Sequence, residues 1–89
     1  MLKLKVENMT SPRGREVPNQ FIIYTDEGTY FQSYNSIIAF IPNEGKIELG
    51  TDWDYSQTTG KYRNQFLNET KKETEQKLKD GTYILNENL

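Results

Sequence analysis

Six carboxylates in the middle of the chain are the residues whose type and spacing most readily suggest a function. Residues 21–60 carry six acids and one lysine, whereas the segments before and after them have net charges of +2 and +1. The six acids are Asp26, Glu27, Glu44, Glu48, Asp52 and Asp54. If the fold gathers them on one face, they form an acidic surface suited to a basic partner. The alternative is that they are the polar residues of separate turns.

Asp52 and Asp54 could also supply two oxygen ligands to Mg²⁺ or Ca²⁺, because they are separated by one residue. No neighbouring residues complete a ligand set at a recognised spacing, so we expect a solvated acidic loop with Trp53 turned inward. A hydrolase with paired carboxylates would also need a cleft and one carboxyl group with a raised pKa. We therefore predict neither a metal nor another cofactor.

The 89-residue chain contains no histidine and no cysteine. Without imidazole it lacks the usual general base near neutral pH and the triads that depend on it. Without thiols it has no disulfide framework, no thiolate metal site and no cysteine nucleophile. This composition predicts a protein that is not an enzyme, and the length predicts a single domain over residues 1–89.

Ser56, Thr58 and Thr59 stand at a predicted helix start and are followed by the basic residues Lys61 and Arg63. Free backbone N–H groups at such a start can hold an anion. The acids of the preceding loop would, however, satisfy the positive end of the helix and repel phosphate. Helix capping is therefore the favoured interpretation, and an anion site is the alternative.

Tyrosines in the strand-like part of the chain are candidates for contacts with a partner. Tyr24, Tyr30 and Tyr34 alternate with polar residues, so some of the rings should lie on the outer face. Their neighbours are acidic or neutral, which favours a protein partner over single-stranded nucleic acid. We expect Tyr30 and Tyr34 to join the six acids in the partner-binding surface.

Basic residues outside this segment support an alternative function. Arg13 and Arg15 flank a glycine in a polar loop, and the second predicted helix contains four lysines, namely Lys71, Lys72, Lys77 and Lys79. These residues could contact phosphates in a small accessory or regulatory protein that binds nucleic acid.

Runs of β-branched and aromatic residues between turns predict the strands that position these side chains. The predicted strands cover residues 2–6, 21–25, 29–34, 37–41, 46–49 and 83–85. In the first strand Leu2, Leu4 and Val6 should share the buried face, and residues 8–20 should form a long irregular loop because of Pro12 and Pro18. Residues 37–41 are apolar on both faces, which predicts a central strand.

Two helices are predicted between the last two strands. Tyr62 and Phe66 should anchor the first helix, and Gly60 within it suggests close approach to the sheet. Thr70 and Glu73 fit a capping box for the second helix, which Gly81 ends. The predicted fold class is α+β, with four to five antiparallel strands followed by two helices and a short C-terminal strand; a small barrel is the alternative.

The N-terminus alternates apolar and basic residues, unlike a signal peptide, and no window has the apolar length of a membrane helix. We therefore expect a cytoplasmic protein.

Two stretches resemble those of a known group of proteins. They are SYNSIIAFI, residues 33–41, and WDYSQTTGKY, residues 53–62, continuing to Leu67. Together they are similar to a family of short, uncharacterised proteins from bacteriophages and other mobile elements, over residues 17–67. The family pattern has histidine where this chain has Tyr62, so the resemblance implies no acid–base role there. It implies a mobile-element origin and no particular chemistry.

These observations predict a phage or mobile-element protein that binds and inhibits a host nucleic-acid defence protein, of the anti-CRISPR or anti-restriction type. The expected partner has a basic nucleic-acid-binding groove and lies in the cytoplasm of the bacterial host. Direct binding to nucleic acid is less favoured.

Overall fold

The computed structural model describes residues 4–89, which form one six-stranded sheet and two helices. The elements are β1 Leu4–Thr10, β2 Glu16–Thr25, β3 Gly28–Ser33, β4 Ser36–Pro42, β5 Glu48–Leu49, α1 Gln57–Leu67, α2 Lys71–Lys79 and β6 Ile84–Leu85. The strands lie in chain order, antiparallel except for the parallel pair β5 and β6. The predicted α+β class is confirmed, with an open sheet in place of the alternative barrel.

The hairpin of β1 and β2 corrects the predicted long loop over residues 8–20. Only residues 11–15 connect the two strands, because the ladder is interrupted at residues 17–20, around Pro18, and resumes with the pair of Thr10 and Glu16 after a shift of register. The Asn8 side-chain amide donates to the Val17 carbonyl at 2.9 Å within this bulge. A bulge tolerates proline because its residues leave the regular ladder.

The predicted buried face of the first strand is wrong within the described residues. Leu4 and Val6 are 69% and 57% exposed, whereas Met9 is buried at 3%. Met9 lies two residues after Glu7, on the sheet face that the helices cover, and belongs to the core cluster. Leu2 and Lys3, which the prediction included, lie outside the described residues.

The central strands follow the prediction more closely. The hairpin of β2 and β3 forms around Asp26 and Glu27, and β4 lies between β3 and β5. The predicted strand 46–49 is reduced to two residues. The buried hydrophobic cluster consists of Met9, Phe31, Ile38, Ala39, Leu49, Tyr62 and Tyr83.

The helices pack against one face of the sheet. Ser56 caps α1, Tyr62 is buried, and the Phe66 ring stacks on Phe31 with centroids 5.6 Å apart. The expected approach of Gly60 to the sheet is wrong, because the atoms nearest to a Cβ there belong to Arg63 and Asp54, at 3.7 and 3.8 Å.

Helix α2 begins with the predicted capping box of Thr70 and Glu73, and its Thr74 is fully buried. Within residues 4–89, neither helix is long and apolar enough to cross a membrane.

Candidate functional site

The two faces of the sheet differ in what covers them. Successive side chains of a strand point to opposite faces, and directly paired residues share a face. One continuous row of paired residues lies under the helices: Glu7, Ile22, Phe31, Ala39, Leu49 and Leu85. The neighbouring row therefore faces away from the helices: Val6, Ile23, Tyr30, Phe40, Glu48 and Ile84.

We call this second row, together with Leu4 and Phe21 beside it, the open face. Its members belong neither to the core cluster nor to the side chains packed against that cluster. Val6 and Ile84 are 57% and 47% exposed, and Ile23 and Tyr30 are partly exposed. Apart from Glu48, these side chains are apolar or aromatic, and an exposed patch of such side chains is characteristic of a site that binds another macromolecule.

Tyr30 and Phe40 form the centre of the open face. Their rings stack with centroids 4.2 Å apart and planes at 19°. Phe40 is only 9% exposed, although it lies on the face that the helices leave uncovered. The two stacked rings hold each other in place and form a rigid aromatic surface. Such a surface loses little conformational entropy when another molecule covers it.

Three of the six predicted acids meet at one end of the open face. The turn that carries Asp26 and Glu27 lies beside the turn that carries Glu44. Asn43 joins the two turns, because its side-chain amide donates to the Asp26 carbonyl at 2.6 Å and its backbone N–H donates to the Glu27 carbonyl at 3.0 Å. This end of the sheet is therefore acidic.

The other three acids do not join this group. Asp52 accepts a 2.9 Å hydrogen bond from Ser36, and Asp54 lies on the same loop. That loop is at the far end of β3, about 20 Å from the Asp26 turn for a six-residue strand. Glu48 lies on the open face and accepts a 2.6 Å hydrogen bond from Asn86. The expected single acidic surface is thus divided among the two ends of the sheet and the separate position of Glu48 on the open face.

Asp54 is held by interactions within the chain. Lys71 and Arg63 lie 2.7 and 3.4 Å from its carboxylate oxygens. The hydrogen bond from Lys71 is the largest cause that holds the pKa of Asp54 below its ordinary value, against a smaller opposing effect of burial. Asp54 therefore stabilises the junction of the loop with both helices.

Arg63, which belongs to the alternative anion site at the start of α1, is buried against the loop that precedes this helix. The residue is 1% exposed and lies over the Trp53 ring at 5.0 Å. The terminal guanidinium nitrogen Nη1 donates to the Trp53 carbonyl at 2.7 Å, and Nη2 donates to the Asn64 side-chain oxygen at 2.9 Å. These N–H groups are used inside the protein. Ser56 likewise acts as a cap, since its hydroxyl oxygen accepts from the Thr59 N–H at 3.1 Å.

Residues 33–41 and residues 53–62 meet in space. The Ser33 and Thr59 hydroxyl groups lie 2.8 Å apart, and they join the end of β3 to the start of α1. Beside them is a groove of about 360 Å³ lined by the exposed rings of Tyr34 and Tyr55 together with serine and asparagine side chains. Tyr34 therefore lies at the far end of β3 from the acidic turns, away from the open-face centre at Tyr30.

The described residues give little support for a metal site or for a phosphate-binding site. Within residues 4–89, no group of three or more acidic, histidine or cysteine side chains is arranged to hold a metal ion. Arg13 and Arg15 are exposed at the tip of the first hairpin. Among the lysines of the second helix, Lys71 and Lys77 pair with Asp54 and Glu69. The basic residues of the alternative function are thus partly engaged within the chain.

Sequence reasoning missed the buried carboxylate of Glu69. Its side chain is 3% exposed and accepts hydrogen bonds from Lys77, Thr74 and Tyr83 at 2.6, 2.6 and 2.7 Å. Burial raises the pKa of Glu69, but these hydrogen bonds outweigh it and leave the pKa below its ordinary value. No local pattern marks this site, because one donor lies 14 residues along the chain.

Comparison with known proteins gives a match to a family model. A model of a family of unknown function matches residues 4–81, from the start of β1 to just beyond α2. No curated protein and no solved structure matches the chain.

Proposed function

The chain belongs to this family of unknown function (DUF8033), and we propose that it is a non-enzymatic protein that binds a partner protein through its open face. The observation that carries the proposal is the row of Val6, Ile23, Tyr30 and Phe40, which lies on the sheet face away from the helices. Apolar and aromatic side chains form the centre of most protein interfaces, and polar residues form the rim. Here the acidic turns with Asp26, Glu27 and Glu44 provide that rim at one end.

The charge of the open face favours a protein over nucleic acid. Glu48 is the one carboxylate at the described open-face positions, and no lysine or arginine lies among them. Nucleic-acid binding depends on basic residues that neutralise phosphates. A partner complementary to an apolar centre with an acidic rim would instead present an apolar patch beside basic residues.

A host nucleic-acid defence protein is the most concrete partner of this kind. The motivation is the resemblance of residues 33–41 and 53–62 to phage and mobile-element proteins. A basic nucleic-acid groove bordered by apolar residues would accept both the open face and its acidic end. The protein would then act as an anti-CRISPR or anti-restriction inhibitor in the cytoplasm of the bacterial host.

The test uses bacteria that carry a CRISPR or restriction system and express the chain during phage challenge. We expect the wild-type chain to raise the plaque count, and the double substitution V6T/I23T to abolish that effect. Threonine keeps the β-branched shape that suits a strand but removes apolar surface. The matched control is Leu85→Thr, since Leu85 is similarly exposed at 49% and lies in the row on the other face.

Direct binding separates this proposal from the alternative. Calorimetry with the purified defence protein should show binding that V6T/I23T weakens about 100-fold, if each side chain contributes about 1–2 kcal/mol. Equal affinity of the double variant and the wild type would contradict the use of the open face. Binding of oligonucleotides that weakens steeply with salt, and that needs Arg13 and Arg15, would instead support an accessory role with nucleic acid.

A further inference from the structure

Strand β1 forms one edge of the sheet, and β2 is its one ladder partner among the described residues. Four consecutive residues of β1, from Leu4 to Glu7, are exposed. Near its other end the Thr10 carbonyl accepts a 2.8 Å hydrogen bond from Gln65. The backbone groups of an exposed edge are a template for another strand. The segment available for such pairing is thus the first half of β1.

We propose that this edge pairs with the same edge of a second copy of the chain. The two β1 strands would run antiparallel about a two-fold axis, with Val6 opposite the partner's Val6. Lys5 then lies opposite the partner's Glu7, and Glu7 lies opposite the partner's Lys5. The contact is the same on both subunits, which is the usual form of a two-fold dimer.

The charges of β1 select this register. Pairing centred on Lys5 would place two lysines directly opposite each other, and pairing centred on Glu7 would oppose two glutamates. Cross-strand pairs of opposite charge stabilise a ladder, and like charges destabilise it. Pairing centred between two residues would bring the open face of one copy next to the helical face of the other, because a one-residue slip reverses the faces. Only the Val6 register keeps both faces continuous and pairs both charges with their opposites.

This dimer would also extend the apolar surface. Val6 and Leu4 are 57% and 69% exposed at the edge of the open face. In the dimer Val6 would meet the partner's Val6 at the axis, and Leu4 would lie opposite the partner's Asn8 on the same face, so that both residues belong to the middle of a doubled open face. Within one chain Lys5 Nζ and Glu7 Oε2 lie 3.6 Å apart and form an exposed ion pair. Such pairs contribute little to stability, so both side chains are available to turn towards the second copy.

The dimer does not depend on the proposed host partner, and its test needs only the purified chain. Sedimentation equilibrium should show a reversible monomer–dimer equilibrium for the wild type. Lys5→Glu and Glu7→Lys should each raise the dimer dissociation constant about tenfold, because each places like charges opposite at two symmetric points. The matched controls are Lys72→Glu and Glu75→Lys, which make the same charge changes at exposed positions of α2.

A mixture of the two variants distinguishes this register from any other contact. Lys5→Glu carries two acids at the edge and Glu7→Lys carries two bases, so an equimolar mixture should form heterodimers more strongly than either variant forms homodimers. The double substitution K5E/E7K should restore the wild-type constant. A wild-type chain that stays monomeric at the highest attainable concentration would overturn the proposal. So would Lys5→Glu with an unchanged dissociation constant, or a mixture without heterodimers.

Discussion

The phenol of Tyr83 donates a 2.7 Å hydrogen bond to the carboxylate of Glu69. This bond connects the segment just before β6 to the loop between the helices. Thr74 and Lys77 of α2 donate to the same carboxylate, whose side chain is 3% exposed. One acid therefore holds the second helix, which has few apolar residues of its own, against the rest of the fold. A buried carboxylate with three donors is strongly stabilised as long as the donors remain.

Replacing Glu69 by Gln should lower the free energy of unfolding by about 1–3 kcal/mol, because a neutral amide cannot accept as well from Lys77 and Tyr83. Urea denaturation followed by circular dichroism measures the change. Glu75→Gln is the matched control, since Glu75 is exposed on the same helix, and should change the free energy of unfolding by less than about 0.5 kcal/mol. Equal effects of the two substitutions would contradict the assigned role of Glu69.

The contribution of Glu69 should depend on pH. Its folded-state pKa is below the ordinary value of 4.5, so the stability that it adds is complete above pH 4.5 and is lost as the pH falls through the lower folded-state pKa. The difference in unfolding free energy between the wild type and the E69Q variant should therefore shrink on acidification. Asp54 has a lowered pKa for a similar reason. The difference in unfolding free energy between the wild type and the D54N variant should therefore also shrink on acidification. A difference that grows on acidification would have the wrong sign.

Tyr83→Phe tests the same network from the alkaline side. Burial and the hydrogen bond to Glu69 raise the pKa of Tyr83 to about 12, from an ordinary value of 10. The stability that this shift adds is complete below pH 10 and is lost as the pH rises towards about 12. The Phe variant should be about 1 kcal/mol less stable at neutral pH, and its difference from the wild type should shrink above pH 10. A constant difference across that range would show that Tyr83 does not titrate as proposed.

Gly28→Ala should be strongly destabilising at the rim of the open face. A Cβ at this position would overlap the Ile41 carbonyl and approach Phe40 Cε1 to 2.7 Å, and its φ is +152°. We expect a loss of about 2–4 kcal/mol from overlap and backbone strain. Gly14→Ala is the control, because its φ is +82° but no described atom lies within 4 Å of a Cβ there. Gly14→Ala should lower the free energy of unfolding by only about 1 kcal/mol. Thermal denaturation measures both losses.

Arg63→Lys should affect both stability and the environment of Trp53, the single tryptophan of the chain. Lysine cannot reproduce the planar fork that bonds the Trp53 carbonyl and Asn64 while stacking on the indole. We expect a loss of about 2–3 kcal/mol and a red-shifted Trp53 emission. Lys61→Arg, at an exposed position of the same helix, should leave the emission unchanged. An unshifted spectrum of the R63K variant would contradict the packing of Arg63 on Trp53.

Local patterns were enough to predict most of the elements. The Asp26-Glu27-Gly28 turn, the Ser56 cap and the capping box of Thr70 depend on a few adjacent residues, and all three form as predicted. The first hairpin was predicted wrongly because Pro12 and Pro18 indicate irregular chain, whereas the pairing with β1 skips the residues around Pro18 and resumes at Thr10 and Glu16. Tertiary contacts overrode the local signal at that point.

The candidate site depended more on long-range pairing. Its acids could be named from the sequence, but their grouping could not, because contact between the Asp26 and Glu44 turns depends on how β3 and β4 pair. Because successive side chains of a strand point to opposite faces of the sheet, the sequence predicts that Ile22 and Ile23 lie on opposite faces, as do Tyr30 and Phe31. It does not identify the face that α1 and α2 cover.

Composition and local spacing by themselves therefore determined the α+β class, the helix starts and the absence of imidazole and thiol chemistry, because these follow from residues close in the chain. Only the tertiary structure decided that Tyr30 and Phe40 lie on the face away from the helices, that five of the six acids divide between two ends of the sheet while Glu48 lies on the open face, and that Glu69 is buried. The physical reason is that burial and charge clustering arise from strand register and helix packing, which join residues far apart in sequence.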